Sequence, residues 1–210
     1  MTDKLSLYNR ALAHLKEERL VALTERRSPR FKLDDQWDGA VAYCLERGFW
    51  KFAMRSQKLF ASSSASPAFG FQYAFEQPAD LARLFQMSTD DRFYNPLQRF
   101  SDEAGYWYAD FAVLYVRFVS NDPTYGLDLG RWPPSFVELL ALRLASQAGP
   151  GISNDKELVA ELRKEEKDYR IDAQSLDAMR EPPAQPPVGS WVSSRFRGPM
   201  SGRHGGPGGW

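Results

Sequence analysis

Near the start of the chain, apolar residues recur at three- and four-residue steps. Leu5, Tyr8, Leu12 and Leu15 make one stripe, which predicts a helix from Asp3 to Leu20. A second helix is punctuated at both ends. Ser28 offers a cap, Pro29 suits a first helical position and Gly48 offers a stop. Its inner face is predicted to hold Leu33, Trp37, Val41, Cys44 and Leu45, and Asp34, Asp35 and Asp38 lie in its first half, where the helix dipole favours acids.

The period then changes to two. Phe69, Phe71, Tyr73 and Phe75 alternate with Gly70, Gln72 and Ala74, predicting a strand with four aromatics on one face. Leu81 to Met87 is a shorter strand after the Gln77-Pro78 break. Phe93 to Phe100 is split by Asn95-Pro96. Tyr106-Trp107-Tyr108 and Val113 to Val119 flank Asp110 as the two arms of a hairpin. The pattern predicts an antiparallel meander of three to five strands inserted between helices.

Pro133-Pro134 opens a third helix, Ser135 to Ala148, with Phe136, Leu139, Leu140 and Leu144 inward and Gly149-Pro150-Gly151 as its stop. Asn154 with Glu157 forms a capping-box pattern for a fourth helix that runs to about Arg180, about 40 Å at 1.5 Å per residue. Its stripe of Leu158, Leu162, Tyr169, Ala173 and Leu176 is thin, with eight acids and six bases along the helix. Such a helix has one side against a partner and the other in water. The expected class is therefore α+β: a bundle of about four helices with an inserted antiparallel β-sheet. Residues 1–150 form the core with its insertion, 151–180 the long helix and 181–210 an extended tail.

The tail differs in kind. Six Pro and seven Gly occupy residues 181–210, leaving little means of building a core. Yet Trp191, Val192, Phe196 and Trp210 stand among Arg195, Arg197 and Arg203. Large anchors on a chain without a core of its own suit a segment that folds on binding; alternatively they pack on their own domain.

Composition narrows the chemistry. The chain has 210 residues, with 27 Lys plus Arg against 27 Asp plus Glu, so its net charge is zero and it lacks the basic field of a non-specific nucleic-acid binder. One Cys, Cys44, excludes an intrachain disulfide and a multi-Cys metal site, and two His, His14 and His204, make a multi-His site equally remote. No apolar run approaches a membrane span of about 18 residues. The first residues show no signal-peptide apolar stretch, so a cytoplasmic, reducing start is expected. Aromatic residues reach 14%, a surplus suited to packing between chains as well as within them.

There is no phosphate-cradling G-x-x-x-x-G-K-[ST] run. His14 lies on an amphipathic helix and Cys44 on an apolar face, so both are expected to be structural. The acid pairs Asp34-Asp35, Asp90-Asp91 and Asp102-Glu103 fall at a helix start and in turns, where solvated roles are expected rather than a two-carboxylate hydrolase. The basic cluster Arg26, Arg27, Arg30 and Lys32 has only Phe31 as an aromatic neighbour, too little for base stacking. No catalytic, metal or cofactor-binding residue is assigned, no cofactor is expected, and the chain is not read as an enzyme.

Five stretches, in this order, carry a family resemblance: Leu7-Tyr8-Asn9-Arg10-Ala11-Leu12, Trp37 to Arg55, Phe69 to Leu81, Asp102 to Asp122, and Trp132-Pro133 with the helix behind it. Over roughly residues 1–150 the chain resembles the head-to-tail adaptor (connector) proteins of tailed bacteriophages, in particular the tail tubular protein A-like group. The specificity lies in the order of the stretches, since none is a catalytic fingerprint. The resemblance implies a helical bundle with a β-insertion. It also implies a structural virion protein at the neck, assembled in the host cytoplasm into a ring of twelve copies. That ring would join the portal protein to the tail nozzle, extend the channel for double-stranded DNA without reading its sequence, and help retain the packaged genome. No membrane is involved. In related adaptors the C-terminal segment embraces the portal, which assigns portal binding here to Trp191, Arg195, Phe196, Arg197 and Trp210. Extended, that segment would reach up to about 100 Å at 3.3–3.6 Å per residue. Acids on the helices of such a ring would line the lumen, where a negative wall lets the duplex slide. The alternatives are a head-closure or stopper protein of the same neck, or a cytoplasmic binding module that works through its tail.

Overall fold

The computed structural model describes residues 3–179. Among them are four α-helices and six strands in two small antiparallel sheets, an α+β fold with the sheets inserted between the second and third helices. Helix α1 spans Lys4–His14. Asp3 caps it reciprocally: its carboxylate accepts the Ser6 N–H at 2.8 Å, and the Ser6 hydroxyl accepts the Asp3 N–H at 3.2 Å. The helix ends before the predicted Leu20. Lys16 turns left-handed at φ 58°, and the Glu17 and Lys16 N–H groups close back on the Leu12 and Ala13 carbonyls at 2.9 and 3.1 Å. Leu20 is nonetheless buried, because Asn9 bonds both the N–H and the carbonyl of Leu20 and pulls the loop back onto the bundle. Its apolar character reflects that return rather than a further helical turn.

Helix α2, Ser28–Arg47, carries Pro29 in its first turn as predicted. Ser28 is already helical and does not cap; the capping position falls to Arg27, which makes no side-chain bond there. Leu33, Val41, Cys44 and Leu45 are buried and Trp37 is half-buried. A 3₁₀ turn at Lys51–Ala53 then leads into the first strand.

Strands β1 (Met54–Phe60), β6 (Val113–Ser120) and β3 (Leu81–Ser88) form the first sheet, in that order. Its register runs from Met54 opposite Val119 to Phe60 opposite Val113. Strands β2 (Tyr73–Glu76), β5 (Tyr106–Ala109) and β4 (Ser101–Glu103) form the second. Phe75, Trp107 and Ala109 of the second sheet share a small core with Met87, Leu114, Val116 and Phe118 of the first.

Three expectations change here. The arms flanking Asp110 do not pair with each other: β5 joins one sheet and β6 the other. Asp110 holds this corner, accepting the Gln72 N–H at 3.2 Å and an Arg99 N–H at 3.2 Å. The predicted four-aromatic strand starts only at Tyr73, since Gly70 sits at φ 82° and breaks the extended run. Phe93 to Phe100 forms no strand, only an isolated bridge between Ser88 and Pro96. Strand β1, with an alternating MRSQKLF of mostly polar residues, carried too weak a pattern to be read from sequence.

Helix α3, Pro134–Ile152, is the axis of the bundle. It packs against α1, α2 and the last helix, and eleven of its residues are buried, as expected of a helix apolar on all sides. It runs through the predicted Gly149-Pro150-Gly151 stop. A Cβ on Gly149 would stand 3.0 Å from Val159 and 3.1 Å from Leu15. This glycine therefore serves the close approach of neighbouring elements, not termination. Pro150 lies in the last turn, where it removes one ladder bond near the helix end. Trp50, Phe52 and Trp132 pack around Phe136 with ring centroids 4.8–5.1 Å apart.

Helix α4, Lys156–Ala178, is capped by Asp155 rather than Asn154; Asp155 accepts the Glu157 and Leu158 N–H groups at 3.0 and 2.9 Å. Its buried stripe is Val159, Leu162, Glu166, Ala173 and Asp177, while Leu176 faces water. Two acids stand on the stripe because each meets a specific partner. Glu166 receives Arg143 at 3.3 Å and the Ser146 hydroxyl at 2.8 Å, and Asp177 accepts the Lys51 N–H at 2.7 Å.

Candidate assembly surfaces

The residues with conventional catalytic chemistry are engaged in structural contacts. His14 Nε2 is 2.8 Å from Glu138 of α3, beside Arg10 at 3.1 Å, so it ties α1 to α3. Cys44 is fully buried, and desolvation pushes its thiol up to about 12, well out of reach of the thiolate at neutral pH. Burial alone would raise Asp34. The Tyr8 hydroxyl at 2.7 Å, Lys4 at 3.2 Å and Arg30 at 2.5 Å outweigh burial and hold the carboxyl below its ordinary value. Desolvation, reinforced by Asp34, raises Tyr8.

Asp90 and Asp102 of the other two acid pairs are likewise engaged. Asp90 accepts the N–H groups of Arg92, Tyr94 and Asn95 at 2.7–3.1 Å, organising its turn. Asp102 accepts from Gln77 at 2.7 Å and from the Trp107 indole at 3.0 Å. In the basic cluster, Arg27 reaches Glu18 and the Arg19 carbonyl, Arg30 reaches Asp34, and Lys32 reaches the Gly151 carbonyl. Among the described residues, no group of three His, Cys, Asp or Glu could hold a metal ion, and no helix is long and apolar enough to cross a membrane.

What the fold leaves open is surface. β1 and β6 run side by side for seven residues, about 20 Å at 3.3 Å per residue, from the bundle-facing pair Met54 and Val119 to Phe60 and Val113. At that far end Phe60 is 66% exposed, and Phe111, in the β5–β6 corner, is 46% exposed. The Ala61 N–H bonds the Ala112 carbonyl at 3.1 Å and keeps these two segments together. Phe69 is 87% exposed next to Gly70, whose carbonyl accepts from Arg99 at 3.0 Å; Arg99 also holds Asp110. One hydrogen-bonded corner therefore presents three phenylalanines to solvent. Covering one such ring contributes roughly 1.5–3 kcal/mol.

A second feature is a mostly apolar cleft of about 230 Å³ lined by Trp37, Val41, Leu45, Leu127, Leu129 and Trp132, with Asp38 and Asn121 as its polar lining. The Trp37 and Trp132 rings stack 6.3 Å apart along it, and the Trp132 indole is fixed by the Gly126 carbonyl at 2.8 Å.

The tail residues predicted from sequence to bind a partner, Trp191, Arg195, Phe196, Arg197 and Trp210, lie outside the described residues. Phe60 and Phe111 were not singled out from sequence. Exposed and buried aromatics look alike in a strand pattern, and the available signal was their place at the ends of apolar runs beside polar turn residues. Comparison with known proteins finds no matching family model and no matching curated protein.

Proposed function

We propose that this protein is a head-to-tail adaptor of the tail tubular protein A-like kind. It would be a structural, non-enzymatic component of the phage neck. Copies assemble into a ring of twelve that joins the portal to the tail nozzle, extends the DNA channel and helps retain the packaged genome. Its place is the virion, with the host cytoplasm as the site of assembly. The ordered series of stretches from Leu7 to Trp132 supports this reading, as does the match between the α+β fold and the bundle with β-insertion that the resemblance implies.

The observation that carries it is the aromatic corner of Phe60, Phe69 and Phe111. Large apolar side chains held in water on a hydrogen-bonded corner mark a protein–protein contact. Repeated around a ring, even modest contacts add through avidity. The test is electron microscopy of the protein mixed with its portal. A twelve-fold collar is expected for the wild type. Phe60→Ser/Phe69→Ser/Phe111→Ser should keep the wild-type melting temperature within a few degrees yet form no complete collar with portal and nozzle together. Wild-type protein with no affinity for any capsid-vertex component overturns the reading.

A further inference from the structure

Helix α4 carries its charges in two separated rows. Glu157, Glu161, Glu165, Asp168 and Asp172 follow one another at four- and three-residue steps and are all exposed. Lys156, Arg163, Lys167 and Arg170 line another side at seven-, four- and three-residue steps, the first three exposed and Arg170 half-buried. At 3.6 residues per turn the centres of the two rows stand roughly 150° apart around the axis, one on each side of the stripe that packs on α3. Lys164 sits at the outer edge of the acid row and is the one base that borders it on this helix.

The two sides also differ in their surroundings. On the basic side, α2 adds to the charge. Arg170 donates to the Tyr43 hydroxyl at 3.2 Å, the Arg47 guanidinium lies 5.0 Å from the Tyr43 ring, and Arg143 lies 3.7 Å from it. Glu46, next to Arg47 in α2, is exposed, and Glu166, buried, is taken by Arg143. The acid row borders Tyr169 and a shallow groove of about 370 Å³ lined mostly by its own carboxylates. Arg10 of α1 is nearby, engaged with Glu138.

Segregation of this kind disfavours the isolated helix. Like charges at four-residue spacing cost roughly 0.2–0.5 kcal/mol a pair, and the ion pairs seen among the described residues lie away from the five acids of the row. The helix dipole accounts for Glu157 in the first turn but not for the later acids. A helix optimised for itself would interleave the signs.

We propose that α4 supplies the side-to-side contact between neighbouring copies, with the acid row of one chain facing the basic row of the next. Charge complementarity makes the occupant a second copy of this chain: two different patches of opposite sign on opposite flanks can meet only head to tail. That is the heterologous contact that closes into a ring. Electrostatics of this kind sets register and partner choice more than raw affinity. The inference rests on the ring reading above and names the contact within it.

The experiment uses two charge-reversed full-length variants. One carries Glu161→Lys, Glu165→Lys and Asp168→Lys; the other carries Lys156→Glu, Arg163→Glu and Lys167→Glu. Association is followed by sedimentation velocity. Wild type should self-associate at low ionic strength and weaken by at least about tenfold when salt is raised from about 50 to about 500 mM, which shortens the screening length severalfold. Each variant alone should stay monomeric, and an equimolar mixture should regain assembly, because alternating copies restore every opposite-sign contact. Wild type that is monomeric at millimolar concentration and low salt overturns the proposal. So do variants that assemble alone at wild-type strength, which would leave the acid row to the lumen, and so does a mixture that fails to recover.

If either variant fails to fold, carbodiimide coupling of mixed isotope-labelled and unlabelled wild type decides. Inter-chain amide links from the acid row to Lys156 or Lys167 support the contact, and their absence overturns it. A mixture that recovers assembly without forming a collar on the portal would sink the adaptor reading and leave this contact standing. A collar insensitive to both reversals would do the opposite.

Discussion

Gly126→Ala tests whether the loop after β6 is as tightly seated as the geometry requires. A Cβ at Gly126 would fall well inside van der Waals contact distance of the Ser120 carbonyl oxygen, 3.1 Å from the Ser120 carbonyl carbon and 3.3 Å from Leu45 Cδ1. The nearest obstacle is the backbone at the end of β6, so no flexible side-chain tip can swing aside. The loop itself must move. In moving, it loosens the bond from the Trp132 indole to the Gly126 carbonyl, 2.8 Å long and buried. Overpacking costs roughly 1–3 kcal/mol and a lost hydrogen bond about 1 kcal/mol, so the variant should lose about 2–4 kcal/mol. For a domain of this size each kcal/mol shifts the melting temperature by about 2–4 °C, giving a fall of about 4–16 °C. Gly39→Ala is the matched control. It lies inside α2, where an added Cβ would meet nothing within 4 Å, so helix propensity alone should act and stabilise by up to about 1 kcal/mol. Urea unfolding followed by tryptophan fluorescence, with thermal melts by circular dichroism, reads both variants. Equal midpoints for Gly126→Ala and wild type, or a destabilised Gly39→Ala, would refute the reasoning.

Two further outcomes are expected. Glu166→Ala strands Arg143, whose side chain is 20% exposed, and should cost about 2–4 kcal/mol, somewhat less than a fully buried pair. Arg143→Met/Glu166→Leu should return to within about 1 kcal/mol of wild type in a urea double-mutant cycle. The folded carboxyl of Asp34 titrates below its ordinary value of 3.8, so its contribution is fully present above that value and is lost as pH falls through the depressed one. Asp34→Asn should therefore be less stable than wild type at pH 7, with the gap closing as melts are taken progressively below pH 3.8; a gap independent of pH would contradict the assignment.

Functional surfaces were harder to read from sequence than elements. The acid and base rows of α4 are written in residue spacing at 3.6 per turn, but which flanks of the packed helix they occupy follows only from the buried stripe. That stripe runs through Val159, Glu166 and Asp177, with Leu158 half-buried against the core and Leu176 exposed. Hydrophobicity alone assigns an acid to the outside; Arg143, Ser146 and the Lys51 N–H, which bring Glu166 and Asp177 inside, come from distant parts of the chain. The exposed Phe60 and Phe111 likewise differ from buried Phe75 only in where the sheet ends.

Local physics determined the class of the fold, the existence of four helices and the switch to period two in the middle. Apolar spacing, Pro at helix starts and turn residues act over a few positions and are written in the chain order. Tertiary contact decided the rest. Glycine at 149 ends nothing, because neighbouring elements crowd against it. The arms beside Asp110 part into two sheets, because Arg99 and Gln72 hold the corner. Leu20 is buried by Asn9 rather than by a helix. Each of these outcomes depends on a partner distant in sequence, and periodicity along one segment carries no information about which partner will arrive.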